Sequence, residues 1–337
     1  MKALWSFAFA LLLLTPIAST AQDLQKLSLQ MEWITLGYHS PFYLAAEKGW
    51  FRNAGLEVSI TPGTGSSTTV QLIASGKSDV GHASLSTVAF ARAKGVPVIA
   101  IATFFRTGDQ CLFVPNESPV RTLADVKGKR LIATATSFEA PYIDSFLAAG
   151  GIARSDVTLM NVDFTTRNSM YARGDADGIF GTPVGTGVQL EKLRPSRCLL
   201  FGDYGLNVPG FGIFATPTML QQKGPALRSL ASIVAGAWTY AMASPANAEE
   251  AIDALMKARA GDRLDRGDMM KQLQASKQFL YSSHSRGLPI GVQTQADWAD
   301  AVAAMEKAKV ISAGTKPADY FTNDYIDASL IRRIGGN

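Results

Sequence analysis

Apolar and polar positions along this chain switch repeatedly between a period of two and a helical period. Residues 27 to 33, "LSLQMEW", alternate Leu27, Leu29, Met31 and Trp33 with Ser28, Gln30 and Glu32, which predicts a half-buried strand. A short loop follows. Ser40 and Pro41 then suit the start of a helix, and Gly49 stands where that helix would stop. The unit recurs as a strand at 56 to 60, the loop "TPGTGSS" at 61 to 67, a helix stopped by Gly76, a strand at 78 to 84 and a helix stopped by Gly95. "VPVIAIATFF" at 96 to 105 is a continuous apolar run, as in parallel strands covered on both faces. Strands alternating with helices predict an α/β protein built on a mostly parallel sheet.

"CLFVPNES" at 111 to 118 reads as a connecting strand, after which the alternation restarts. Helices are expected at 122 to 128, 140 to 150, 167 to 174 and 184 to 193. Strands are expected at 129 to 135, 157 to 163, 178 to 182 and 197 to 202. "ASGKSDVGHAS" (74 to 84) and "ARGDADGIFGT" (172 to 182) echo each other at corresponding points, which favours two similar lobes. From about residue 217 the chain turns helical. Packing of those helices back on the first lobe gives lobe I as 22 to 109 with 215 to 337 and lobe II as 110 to 214. The chain would cross between them near 106 to 114 and 208 to 216.

The N-terminus changes the setting. Met1 to Ala21 has a basic start at Lys2, an apolar core and a small-residue end at Ser19-Thr20-Ala21, which predicts a secretory signal cleaved near Ala21 and a periplasmic protein. Hydrophobic content of 47% with 18% charged residues describes a globular chain. The net charge of +4 is scattered, so a solvated basic surface is expected and no nucleic-acid partner, in a protein that works as a monomer. The only two cysteines, Cys111 and Cys198, are free to form a disulfide in an oxidising compartment.

In open α/β sheets, ligands sit outside the carboxyl ends of the strands, where helix N-termini offer free N–H groups. The candidate ligand residues fall in those loops. Trp33, Tyr38 and His39 are either core and rim residues or a stacking wall for a flat ligand. Thr64, Gly65, Ser66 and Ser67 form either a capped turn or a cradle for a polar group. "GTGSST" lacks the third glycine and the later acid of a dinucleotide site, so no cofactor is expected. His82 and Ser84 end the third strand, and Phe105 and Arg106 end the last one before the crossing. Ser137, Phe138 and Glu139 occupy the matching loop of the second half, with Asp163 and Thr182 closing later strands there. Glu139 would take N–H groups of a ligand and repel an anion. Catalysis finds little support. His39, His82 and His284 lack metal spacing, the cysteines show no zinc pattern and no Gly-x-Ser-x-Gly elbow occurs, so neither an enzyme nor a metal site is expected.

The ordered set "W-x5-H-x2-F-Y-L-A-A-E-K-G-W-F", "G-x-G-S-S" and "A-S-G-x-x-D-V-G", with "SPVRTLADVKGKRL" and "YFTNDYID", resembles the bacterial solute-binding proteins of the nitrate, sulfonate and thiamine-precursor import group. The resemblance implies a two-lobed periplasmic-binding-protein fold of type II with a hinge. It also implies an ABC permease and its ATPase as partners, and a C-terminal helix at 320 to 327. Trp33, Tyr38 and His39 look more like the branch that stacks pyrimidines or flavins, with a sulfonate or nitrate binder as the alternative. The fungal enzyme that makes the thiamine pyrimidine resembles these binders, but it is cytosolic and carries a cysteine-rich motif absent here.

Overall fold

The computed structural model describes residues 23 to 336, so the expected signal at Met1 to Ala21 lies outside the described residues. Ten strands are described: β1 (Gln25–Gln30), β2 (Leu56–Thr61), β3 (Val80–Ser84), β4 (Ile99–Thr103), β5 (Cys111–Pro115), β6 (Arg130–Ala133), β7 (Thr158–Asn161), β8 (Gly178–Gly181), β9 (Ser196–Leu200) and β10 (Phe211–Ala215). They form two five-stranded sheets, ordered β2-β1-β3-β10-β4 and β7-β6-β8-β5-β9. The first strand of each central trio lies parallel to both neighbours, β1 between β2 and β3 and β6 between β7 and β8.

In each sheet four of the five strands run the same way, as the mostly parallel expectation has it, and one reversed strand makes the sheet mixed. β10 runs antiparallel to β3 and β4, and β5 antiparallel to β8 and β9. Each is the strand by which the chain enters a sheet from the other one. From sequence the segment holding β10 shows only as a crossing, because "FGIFA" is too short and glycine-broken to show a period.

Helices cover the sheets: α1 (Ser40–Glu47), α2 (Trp50–Asn53), α3 (Ser66–Ala74), α4 (Leu85–Ala93), α5 (Ile143–Ala149), α6 (Arg167–Ala172), α7 (Val188–Leu193), α8 (Pro217–Ala243), α9 (Pro245–Ala258), α10 (Arg266–Ala275), α11 (Gln295–Lys307) and α12 (Ala328–Gly335). Gly49 accepts the left-handed φ of 68° that ends α1. Residues 122 to 128 make only a 3-10 turn, Leu123–Val126, and "YFTNDYID" is not helical; its Asp327 instead caps α12 by accepting from the Ser329 and Leu330 amides. α8 lays Leu227, Leu230, Val234 and Trp238 into the core of the first sheet. α11 behaves differently. Its Trp298, Val302 and Met305 share a core with Tyr142 and Phe146 beside α5, and Tyr142 donates to the Ser86 carbonyl at 2.9 Å, so this side of the molecule joins both sheets. Cys111 on β5 is disulfide-bonded to Cys198 on the adjacent β9.

Candidate functional site

A narrow cleft, with about 60 Å³ of free space inside, opens between the two sheets. Its walls are the loops after β1, β6, β7 and β8, with Ser66 at the start of α3 and Phe211 on β10. All four loops leave carboxyl ends of strands, where the parallel arrangement exposes them.

The two sides touch. Trp33 meets Phe164 edge-on with ring centroids 5.3 Å apart, and Arg167 lies over the Trp33 ring at 6.0 Å. The Thr136 hydroxyl donates to the Thr64 carbonyl at 2.9 Å, and the Ser67 amide reaches the Thr136 carbonyl at 3.4 Å. Gly65 makes this approach possible, because a Cβ there would stand 2.3 Å from the Thr136 carbonyl oxygen. At the mouth, Lys192 pairs with Asp268 and Lys271 with Glu191, each at 2.6 Å, between α7 and α10.

Of the residues singled out from sequence, Trp33, Tyr38, Ser66, Ser137, Phe138, Glu139 and Thr182 line the cleft. Thr64, Gly65 and Ser67 lie instead at the contact between its sides. The others point elsewhere, for local reasons. His39 and His82 turn inward to Glu32. The Ser84 hydroxyl bonds that of Ser86. Phe105 is in the core against Tyr38, Phe211 and Trp238. Arg106 faces away, donating to the Pro289 carbonyl and standing 3.8 Å from Asp297. Asp163 is exposed and folds its own turn by accepting from Thr165.

Glu32 was not singled out, since the alternation placed it on the polar side of a strand. That strand ends at Gln30, so Glu32 is released from the pleat and turns into the cleft floor. Its carboxylate accepts from the Tyr38 hydroxyl and His39 Nε2, both at 2.8 Å, and from His82 Nδ1 at 2.5 Å. Burial alone would raise its pKa, but the fields and hydrogen bonds of His82 and His39 outweigh burial and hold it below the usual carboxylate range. Burial pushes the His82 pKa down, so its imidazole is neutral. With Nδ1 donating, His82 Nε2 is a bare lone pair, without a partner, among the rings of Phe42, Phe104 and Phe211.

Glu32, His39 and His82 are also the one described trio close enough to share a metal ion. The geometry speaks against it. The Leu36 amide donates to His39 Nδ1 at 3.2 Å, which puts the ring proton on Nε2, the atom that a metal would need bare.

Glu139 has the opposite surroundings. It is buried at the cleft wall, neither oxygen has a hydrogen-bond partner, and its nearest cation is Arg167 at 3.8 Å. Burial raises its pKa and Arg167 offsets part of that rise. Arg167 was not foreseen, because "RNSMYARG" read only as a helix. It is the first residue of α6 and is buried, donating to the Phe180 carbonyl at 2.9 Å and the Thr186 hydroxyl at 2.8 Å.

Residues 37–248, well over half of the chain, match the family described as NMT1/THI5 like. Riboflavin-binding protein RibY of Chloroflexus aurantiacus is 22% identical over 92% of this chain and 89% of its own. The formylaminopyrimidine-binding protein of Halalkalibacterium halodurans is 24% identical over 72% of this chain and 73% of its own. The 4-amino-5-hydroxymethyl-2-methylpyrimidine phosphate synthase of Schizosaccharomyces pombe is 28% identical, but the match spans 50% of this chain and about half (48%) of the synthase. Among solved structures, the alkanesulfonate-binding protein SsuA of Xanthomonas axonopodis pv. citri superposes with a TM-score of 0.65 at 17% identity, covering 90% of this chain and 98% of SsuA, which shows the fold, that of the periplasmic binding proteins.

Proposed function

Because the chain belongs to the NMT1/THI5-like family, we propose that it is the extracytoplasmic solute-binding component of an ABC importer and that it captures a small flat heterocycle bearing N–H donors in the cleft. The observation that carries this reading is Glu139. Two buried carboxylate oxygens without partners face a slot walled by Trp33 and Phe164, and a polar group left so is costly until a ligand supplies the missing donors. A pyrimidine or flavin edge offers such donors, and its ring face suits the indole.

The lobes, 22 to 109 with 215 to 337 and 110 to 214, close about the two chain crossings, and a ligand favours closure through contacts on both sides. The closed protein then delivers its solute to a permease. Binding rather than turnover is the activity, since both cysteines are held in the disulfide and none remains for a cysteine-rich motif like that of the fungal enzyme.

An anion binder is the weaker reading. Arg167 is the one cation among the described lining residues, and its hydrogens are directed at protein groups. Fluorescence titration tests the proposal: a pyrimidine or flavin should change the tryptophan emission of the wild-type protein but not of Trp33→Phe. A response to alkylsulfonates alone would contradict it.

A further inference from the structure

The charged side chains lining the cleft are Glu32, Glu139 and Arg167, two carboxylates against one guanidinium. Arg167 offsets one of them and gives four of its five N–H groups to protein acceptors. Nη2 donates to Phe180 and Thr186, Nη1 to the Thr134 hydroxyl at 3.4 Å, and Nε to Asn168 at 3.5 Å, while Nη1 also faces Glu139.

Glu32 has ample hydrogen bonds and, at neutral pH where His82 is uncharged, no formal countercharge; the imidazole fields that hold its pKa down act in acid, where Glu32 itself would titrate. Its three donors are neutral: a phenol whose pKa burial and Glu32 itself push well up, an imidazole whose Nδ1 accepts from the Leu36 amide, and the uncharged His82. Donors of that kind disperse the charge without cancelling it. Behind them Asp109, in the crossing between β4 and β5, is also buried; burial, then Glu139 and Glu32, push its pKa well up, which favours its uncharged form. One negative charge is therefore left over in the lining. Lobe closure shuts it away from water, where an unpaired charge is expensive.

Building on the heterocycle reading above, we infer that the cleft selects a cationic ligand, a flat heterocycle protonated at a ring nitrogen. Its ring N–H and a neighbouring amino N–H meet the two free oxygens of Glu139. Glu32 supplies the second charge from beneath, without touching the ligand. Together the two carboxylates set the order of preference: cation, then neutral ring, then anion. A cation leaves the closed cleft neutral, a neutral ring leaves one charge buried, and an anion leaves two. Glu139 is the contact residue and Glu32 acts through the field.

Calorimetric titration in buffers of different ionisation enthalpy tests this with two probes, 4-amino-5-hydroxymethyl-2-methylpyrimidine, which takes a proton on its ring, and riboflavin, a flat neutral ring system. The pyrimidine should bind with uptake of about one proton, and its affinity should rise by up to about tenfold per pH unit of acidification while the free probe is neutral. Riboflavin should bind at least about tenfold more weakly and take up none. Glu139→Gln should lose the proton uptake together with about ten- to a hundredfold of the pyrimidine affinity. If that variant does not fold, uptake by the wild-type protein decides alone. Tight pyrimidine binding without proton uptake, or riboflavin binding as tightly as the pyrimidine, overturns the charge inference and leaves the heterocycle reading standing. Binding of neither probe by a protein that binds an alkylsulfonate overturns both.

Discussion

The indole of Trp33 and the ring of Phe164 meet edge to face, 5.3 Å between centroids, one from the loop after β1 and the other from the loop after β7. This contact closes the side of the cleft and leaves the Trp33 ring partly uncovered. Trp33→Ala should therefore weaken ligand binding by about ten- to a hundredfold, as loss of a central aromatic anchor does, while the unfolding temperature changes little. Affinity and thermal unfolding measured on the same sample check it. A variant with a much lower unfolding temperature but unchanged affinity would place Trp33 in the core instead.

Gly65 sits at φ 145°, with the Thr136 carbonyl oxygen 2.3 Å from where a Cβ would be. Gly65→Ala should keep the fold, at a cost of about 1–3 kcal/mol for the backbone conformation, and hold the two sides apart. Ligand affinity should fall at least tenfold or so, because closed-state contacts are lost. Small-angle scattering with ligand should show a more open particle than the wild type. Equal affinity and equal shape would remove Thr64 to Ser67 from the closing contact.

Asp109 makes stability depend on pH. Its folded pKa is raised, by burial first and then by Glu139 and Glu32, so its contribution to stability is complete below the ordinary pKa of 3.8 and is lost as pH rises through the folded value. Asp109→Asn removes that linkage. The variant's unfolding temperature should gain on the wild type steadily between about pH 4 and pH 8. A difference that stays flat with pH would mean that Asp109 is ionised in the folded protein.

The trio of Glu32, His39 and His82 should not hold zinc, given the proton that the Leu36 amide places on His39 Nε2. Added zinc should shift the unfolding temperature by no more than about 1 °C, and chelation should not lower it. A stoichiometric, stabilising zinc ion would require His39 to turn away from Leu36.

Cys111 and Cys198 are joined across a sequence separation of 87 residues. Reduction should destabilise the protein by about 4 kcal/mol in the chain-entropy account. The unfolding temperature with and without reductant measures it, and no change would mean that the unfolded chain gains little freedom.

Much of the fold was legible because burial writes a period into the sequence. The strand after Gln25 and the helix opened by Ser40-Pro41 show it, as do the four long helices after residue 217. Strand direction leaves no such mark, so β10 and the antiparallel seat of β5 had to come from the structure. Side-chain partners are equally silent. Whether His39 and His82 face a ligand or the interior depends on Glu32, whose bond to His82 spans 50 positions. Glu139 was readable because its loop follows a strand end. Arg167, though buried, looks in the sequence like the polar start of a helix.

The central claim is that the cleft binds a flat heterocycle with N–H donors, and a thermal-shift panel tests it most directly. The purified protein would be challenged with pyrimidines, flavins, aromatic acids, alkylsulfonates and nitrate, since a ligand at 100 times its Kd adds about 2.7 kcal/mol to stability. The account predicts a rise in unfolding temperature with a pyrimidine or flavin that Glu139→Gln reduces. A rise with sulfonate or nitrate alone would contradict it, and would assign the site to the amides and hydroxyls around Ser66 and Ser137.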